Sequence, residues 1–404
     1  MASGEALAAV DAVELTYANA SGRFNAYRFI SRLGFHVPLV TLALISQPVL
    51  VVGVLVAGYG LASSFSAPLA TLLTRRLGLA RAMALGEVGK ALGALGLGCL
   101  VALHGLTPLV FTLIAAGCQI VGGIGYTVAA IPDGMLAGAV RGLPDAPANA
   151  AQSDAKAASA MFAAFMLAGL SGAAIAQLAF PLPFFLGGMA SLAAALTATR
   201  LAGLERPKAP AATKPAGKPA AEPMSAVARD AILVYGLFRG TSLSIQVGIM
   251  PMLLFVERQI PLWLFGVAFA SYTFSGFLSA KYYAKLSAGL SGRAQAAAIG
   301  ALSVLTFAGL ALVPGLWVAI APIPLFIASG VVRPYCLPRL AVGVTDPAVR
   351  QARIALAERA FALISAGTTL AAFTVIAFGL SLPVFLGVVG AILAVSTAML
   401  ALRV

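Results

Sequence analysis

"LERPKAPAATKPAGKPAAEPMS", Leu204–Ser225, lies near the middle of a 404-residue chain and is unlike the sequence on either side of it. Its proline, alanine and lysine cannot bury a core, so it specifies an extended, solvated linker. To its left and right run long apolar stretches. The chain as a whole is 61% hydrophobic and 10% charged, whereas a soluble domain carries about 25% charged residues. Apolar runs that recur from end to end imply a polytopic membrane protein, not a soluble body with one anchor.

Crossing a hydrocarbon core of ~30 Å takes about 20 apolar residues in a helix. Twelve spans are predicted on that basis: 27–46, 48–73, 83–103, 107–132, 157–180, 183–203, 227–251, 261–280, 294–313, 316–337, 356–378 and 382–402. They must be helices, because backbone groups in lipid have to be satisfied within their own segment. A β-barrel would show alternating strands of about ten residues, and no such pattern is present. The predicted fold class is therefore all-α, with twelve transmembrane helices. They fall into an N-terminal six-helix bundle (24–203), a linker (204–226) and a C-terminal six-helix bundle (227–404). Residues 1–23 carry Glu5, Asp11 and Glu14 with no basic n-region before an apolar run. They read as a short cytoplasmic leader and not as a cleavable signal.

The net charge is +13. The basic residues fall between apolar runs, so topology explains them and a nucleic-acid partner is not expected. "TRRLGLAR" (74–81), Arg141, Lys156, the linker, "KYYAKLSAGLSGR" (281–293) and Arg339–Arg359 all fall on one side. The opposite connections, "SQ", "HGL", "PLP", "ERQIP", "PG" and "LSLP", hold a single basic residue, Arg258, beside Glu257. This asymmetry predicts both termini in the cytoplasm, with a bacterial inner membrane as the expected location. The halves also repeat. The bundles begin at positions 24 and 227, and the basic loops at Thr74 and Lys281 stand nearly equally far into them. Two six-helix halves in parallel repeat are the architecture of alternating-access transporters.

At this level the chain resembles a major facilitator superfamily secondary transporter along nearly its whole length. The family's signature after helix two runs Gly, apolar pair, Asp, basic, any, Gly, basic, basic. Here the region reads "PLATLLTRRLGLAR". Pro68, Arg76, Gly78 and Arg81 fit it approximately, while Thr71 stands for the Gly and Arg75 for the Asp. "IPDGMLAGAV", with Asp133, resembles the acidic end of helix four in the drug-efflux-like branch. The resemblance implies alternating access between two bundles, a small-molecule substrate and no cofactor. It further implies proton-coupled export, with a monomer embedded in the bilayer. Proton-coupled import of an organic anion or nutrient, or an uncoupled lipid translocator or sensor, are the alternatives. Catalysis is not expected: no HExxH, Walker A or zinc pattern occurs, and Cys99, Cys118 and Cys336 all lie inside apolar runs without metal spacing.

Charges inside spans identify candidate functional residues, because a charged residue at a helix centre costs about 2.5–3.5 kcal/mol on insertion scales. Arg239 lies roughly 18 Å into the seventh span at ~1.5 Å per residue. In the resembled fold that helix lines the cavity. Ser242 at i+3 and Gln246 at i+7 share its face. An arginine fork with such companions suits a carboxylate or phosphate; the other reading is a structural pair with Glu87 or another acid. Arg32 occupies a similar place in the first span, with Tyr27 five residues before it as Tyr235 is four before Arg239. Gln119, Tyr126 and Tyr272 are polar positions expected either to line the cavity or to join helices by hydrogen bonds. Three groups could carry a coupled proton. Glu87 can do so or pair with Lys90 at i+3. His36, mid-span, titrates in the physiological range or serves as a core hydrogen-bonding group. Asp133 is the third. Asp133 and Glu358 are also placed at the cytoplasmic rim with Arg75, Arg76, Arg333 and Arg339. Salt bridges among them would gate the inner mouth in an outward-open state; for Arg75, Arg76 and Arg339, plain topology is the alternative.

Overall fold

The computed structural model describes residues 16–103, 105–141, 143, 145, 150–204, 224–257, 259–313, 315–340, 344 and 347–404. Residues 1–15 of the leader and 205–223 of the linker lie outside them. Helix α1 spans Tyr17–Ser31, with Thr16 as N-cap accepting from the Asn19 N–H. It starts inside the stretch that the sequence assigns to the leader. The first expected span is not one helix. The chain breaks over Arg32–His36 and resumes as a 3₁₀ turn, Val37–Leu39, and a short α2, Val40–Ala43. Pro38 has no N–H to continue a ladder and sits in the first turn of the new piece, where that N–H would have no partner anyway. Glycines receive the break. A Cβ on Gly172 would run into the Phe35 carbonyl, and one on Gly187 into the His36 ring.

The second span is a bent pair, α3 (Val49–Phe65) and α4 (Ala67–Leu77), which meet at 50° with Pro68 at the start of α4. Then come α5 (Leu79–Ala102), α6 (Pro108–Arg141), α7 (Ala150–Leu178) and α8 (Leu182–Thr199). The second half opens with α9 (Ala226–Ser244), which runs on through two π-helical stretches, Ile245–Ile249 and Met252–Glu257. It continues with α10 (Leu262–Lys281), a short α11 (Tyr283–Ser287), α12 (Gly292–Leu312), α13 (Ile323–Leu340), α14 (Pro347–Ala377) and α15 (Leu382–Arg403). Ten segments among the described residues are long and apolar enough to cross a membrane, and the α3–α4 pair makes eleven. The remaining expected span is the broken α1–α2, so twelve uninterrupted helices are not found. The chain is an integral membrane protein. Its outer surface carries exposed Phe65, Leu109, Leu178, Leu312 and Phe378, the kind of apolar cover that only lipid tolerates at this extent.

Small residues let the helices touch. Where α5 crosses α6, a Cβ on Gly93 would come within 2.8 Å of the Cys118 carbonyl and 2.9 Å of Gly122. The halves meet where α3 packs on α14 and α7 on α10. Because the helices alternate in direction, the basic loops share one end of the molecule. At the opposite end an apolar cluster joins the halves. Leu39, Val40, Leu44, Val52 and Leu55 pack there with Met252 and Phe373, and the Thr41 hydroxyl donates to the Val247 carbonyl.

Candidate functional site

Between the halves the ionisable side chains of the spans gather in three groups. In the first, α1 lays Tyr27 and Ser31, one turn apart, against Glu87 of α5. Both hydroxyls donate to Glu87 Oε1, at 3.0 and 2.7 Å, and Lys90 Nζ donates to Oε2 at 2.7 Å. Lys90 also donates to the Ser31 carbonyl at 2.9 Å. Glu87 is fully buried, and both its oxygens are engaged. In the second group, Arg28 reaches Asp133 of α6 in a two-pronged pair, Nε to Oδ1 and Nη2 to Oδ2, both 2.8 Å. In the third, Glu358 of α14 accepts on one oxygen, Oε1, from the Tyr235 hydroxyl at 2.7 Å and from Arg239 Nη1 at 2.9 Å. Its other oxygen has no partner among the described residues. Arg239 also donates to the Tyr235 hydroxyl and lies over the Phe361 ring, 4.6 Å from its centroid.

The first and third groups repeat one motif. A tyrosine and the residue one turn after it, Tyr27 with Ser31 or Tyr235 with Arg239, share one carboxylate oxygen. By its tyrosine, one turn before it, Ser31 holds the place in α1 that Arg239 holds in α9, although the two acids come from different helices of their halves, α5 and α14. Arg32 stands at the C-terminal end of α1, where the break turns it into the space between the halves. It lies over the Tyr126 ring at 5.3 Å and has no carboxylate within 4.0 Å among the described residues. Arg333 of α13 is alike. It is 7% exposed, its Nη1 faces the Met161 sulfur at 3.6 Å, and it has no carboxylate partner among the described residues. Nε of each arginine has no hydrogen-bond acceptor among them.

Three cavities meet at Arg32, which lines them all. The largest, ≈ 330 Å³, is walled by Asp133, Arg239, Arg333 and Glu358 and reaches Arg141 and Arg350 toward the basic loops. A second, ≈ 150 Å³, lies on the N-terminal side with His36, Lys90, Gln119 and Tyr126. The third, ≈ 100 Å³, holds Arg239, Ser242, Gln246 and Arg333 among Phe162, Phe165 and Phe326. The Arg239–Ser242–Gln246 face expected from the sequence thus fronts one cavity, with Ser242 Oγ 2.5 Å from Ser329 Oγ.

Other expected residues lie elsewhere. Tyr272 is fully buried in the C-terminal core, 4.7 Å from Phe326 ring to ring, and lines none of these cavities. Its hydroxyl was the only cue that suggested a wet face, whereas the ring decides its place. His36 is not mid-helix but at the break, tilted against Phe184. Asp133 and Glu358 are not rim residues. Helix α6 continues past Asp133 to Arg141, about 12 Å further along its axis at the α-helical rise. Helix α14 begins at Pro347, about 16 Å before Glu358 by the same rise. Neither acid is within 4.0 Å of Arg75, Arg76, Arg333 or Arg339 among the described residues. Arg75 and Arg76 are exposed at the end of α4, and Arg339 stacks on Tyr335 at 3.7 Å. The expected rim bridges belong to an outward-open state, whereas here the end opposite the basic loops is the one packed shut. Sequence reasoning missed Arg28 as the holder of Asp133, Ser31 as a donor to Glu87, and Tyr59, which lines the ≈ 150 Å³ cavity with its ring 6.2 Å from that of Tyr126. A tyrosine or arginine one turn from another polar residue inside a span was the available signal.

No protein-family model matches the sequence, and no curated protein matches it. Solved structures do match in shape. The human organic anion transporter MFSD10 (TETRAN) superposes with a TM-score of 0.70 at 15% identity, covering 96% of this chain and 100% of that one. The nucleoside transporter NupG gives 0.62 at 12% identity, covering 95% and 98%. A bacterial homologue of the iron transporter ferroportin, in an outward-facing state, gives 0.66 at 14%, covering 94% and 98%. The chain has the major facilitator fold that these transporters share.

Proposed function

We propose that this chain is a secondary transporter that moves a small organic anion across the membrane by alternating access of its two halves. The observation that carries this reading is the charge of the largest cavity, where Arg32, Arg239, Arg333 and Arg350 stand with two carboxylates, and Arg32 and Arg333 are free of any acid among the described residues. A cationic, partly apolar chamber inside a membrane protein attracts an anion and gives it fork-shaped donors. The organic anion transporter among the structural neighbours supports the same reading. The basic loops face the cytoplasm in this proposal, so the described conformation faces inward. Coupling to protons, with export by exchange as its direction, is the finer part of the proposal. Glu358, which keeps 14% of its side-chain surface on the cavity wall and has both donors on one oxygen, is the carboxylate placed to trade a proton with it, whereas Glu87 is fully buried and held by three donors.

The test is flux in proteoliposomes. Purified protein is reconstituted with radiolabelled carboxylates and organophosphates inside, and efflux is followed with and without an imposed pH gradient. Anion efflux above that of protein-free vesicles, accelerated by external acid, is the expected result. Efflux indifferent to the gradient removes proton coupling, and no flux of any anion overturns the reading.

A further inference from the structure

The buried charges around the cavities do not balance, and the imbalance is a whole number. Glu87 and Lys90 neutralise each other. Around the central space stand four arginines, Arg28, Arg32, Arg239 and Arg333, and two carboxylates, Asp133 and Glu358. Whichever arginine holds whichever acid, two guanidinium charges are left over. In the described conformation these are Arg32 and Arg333. They project from opposite halves, α1 and α13, and both line the ≈ 330 Å³ and ≈ 100 Å³ cavities. Arg350 stands further out, near the start of α14 beside a basic loop, and adds positive charge to the entrance.

From this surplus we propose that the substrate is a dianion, gripped at once by Arg32 from one half and Arg333 from the other. The inference rests on the anion-transport reading above and narrows it. A monoanion leaves one guanidinium in a low-dielectric site without a counter-charge, and a neutral solute leaves two. Two guanidinium forks on the wall of the same cavities fit either two carboxylates or the three oxygens of a phosphate monoester, since planar paired donors match both. The side walls set the rest of the molecule. Phe162, Phe165, Phe326 and Phe361 surround the smaller cavity, so the body between or beside the charges is apolar or aromatic. A ligand that bridges α1 and α13 also ties the two halves together, which makes its charge part of the switch between conformations.

The experiment compares pairs of probes that differ by one charge. Succinate is set against succinamate, and phenyl phosphate against methyl phenyl phosphate, at pH 7.5, where a phosphate monoester carries close to two charges because its second pKa is about 6. Binding to the detergent-solubilised wild-type protein is measured by calorimetry, and transport by efflux from proteoliposomes. The expected result is that at least one dianion binds ten-fold or more tightly than its monoanion. The pair that shows it identifies carboxylate or phosphate as the charge carrier. Arg333→Gln and Arg32→Gln should each bring the ratio close to one. Monoanions that bind as well as their dianions overturn the inference while leaving anion transport in place. If none of the four is bound or moved, and no other anion is, the underlying reading falls with it. A ratio that persists in both variants also overturns the assignment to these arginines. The wild-type comparison decides even if a variant fails to accumulate.

Discussion

The carboxylates of the two halves are held to very different degrees. In the N-terminal half every oxygen of Glu87 and Asp133 is occupied: Glu87 has three donors and Asp133 two, all at 2.7–3.0 Å. In the C-terminal half Glu358 crowds Tyr235 and Arg239 onto one oxygen and leaves the other without a partner among the described residues, while Arg333 has no carboxylate among them and puts Nη1 against the Met161 sulfur. Between the two arginine pairs, exposure differs in the same sense: Arg28 and Asp133 keep 4% and 8% of their side-chain surface, whereas Arg239 and Glu358 keep 13% and 14%, and both acids wall the largest cavity. A saturated ionic group in a low-dielectric interior has nothing further to gain by rearranging. An unsaturated one can change partners at little cost. The N-terminal groups therefore read as fixings that hold α1 to α5 and α6, and the C-terminal group as the part that responds to an entering solute.

The largest effect that could break this contrast is on stability. Asp133→Asn should cost about 3–5 kcal/mol, because it strands a buried guanidinium. Glu358→Gln should cost roughly 1–2 kcal/mol, since its partners can turn toward the cavity. Equal losses in melts of the solubilised proteins would dissolve the distinction between the halves. Replacing the N-terminal pair together, Arg28→Met with Asp133→Leu, should recover most of the loss.

On transport the order reverses. Arg239→Ala should reduce flux by at least ten-fold and cost about 1–3 kcal/mol of stability, since it leaves Glu358 without its cation, and Arg239→Lys should not restore the flux, because a point charge lacks the planar fork. An alanine variant with normal melting and normal flux would remove Arg239 from the mechanism. A smaller effect tests the break in helix one. Gly187→Ala should cost about 1–3 kcal/mol by pushing on the His36 ring. Gly58→Ala, with open space around it, should be neutral or stabilise by roughly 0.4–1 kcal/mol. Smallest is Thr41→Val, which removes one hydrogen bond across the closed end and should cost about 1 kcal/mol. In a background without Cys99 and Cys336, it should also speed maleimide labelling of Cys118, which lines the N-terminal cavity. Unchanged labelling would mean that the apolar cluster alone holds that end shut.

Much of the scaffold was legible in the sequence because hydrophobic span length is a local property. The ends of α5, α8, α10, α12 and α15 fall within a few residues of expectation. The break in helix one was also written there, in Gly34 and Pro38, but a span read by mean hydropathy passes over both. Membership of the cavity was legible for Arg239, Ser242 and Gln246, since one helix face carries all three. Pairing was not. Arg28 and Asp133 are 105 residues apart, and Arg239 and Glu358 are 119 apart. No periodicity reports on partners in other helices, and Glu87 was as plausible for Arg239 as Glu358.

The π-helical stretches of α9 turn residue count into a structural quantity. A π turn houses one residue more than the α ladder takes, so the chain beyond Ile249 sits one step out of phase with the chain before Ile245. Met252 and Leu254 owe their buried seats in part to that extra step. Deleting a single residue between 245 and 249 would leave composition and hydropathy almost untouched. It would nonetheless rotate the rest of the helix by about 100° and draw Met252 away from Leu39 and Phe373. Along this segment, one-residue deletions should be tolerated far less well than apolar substitutions.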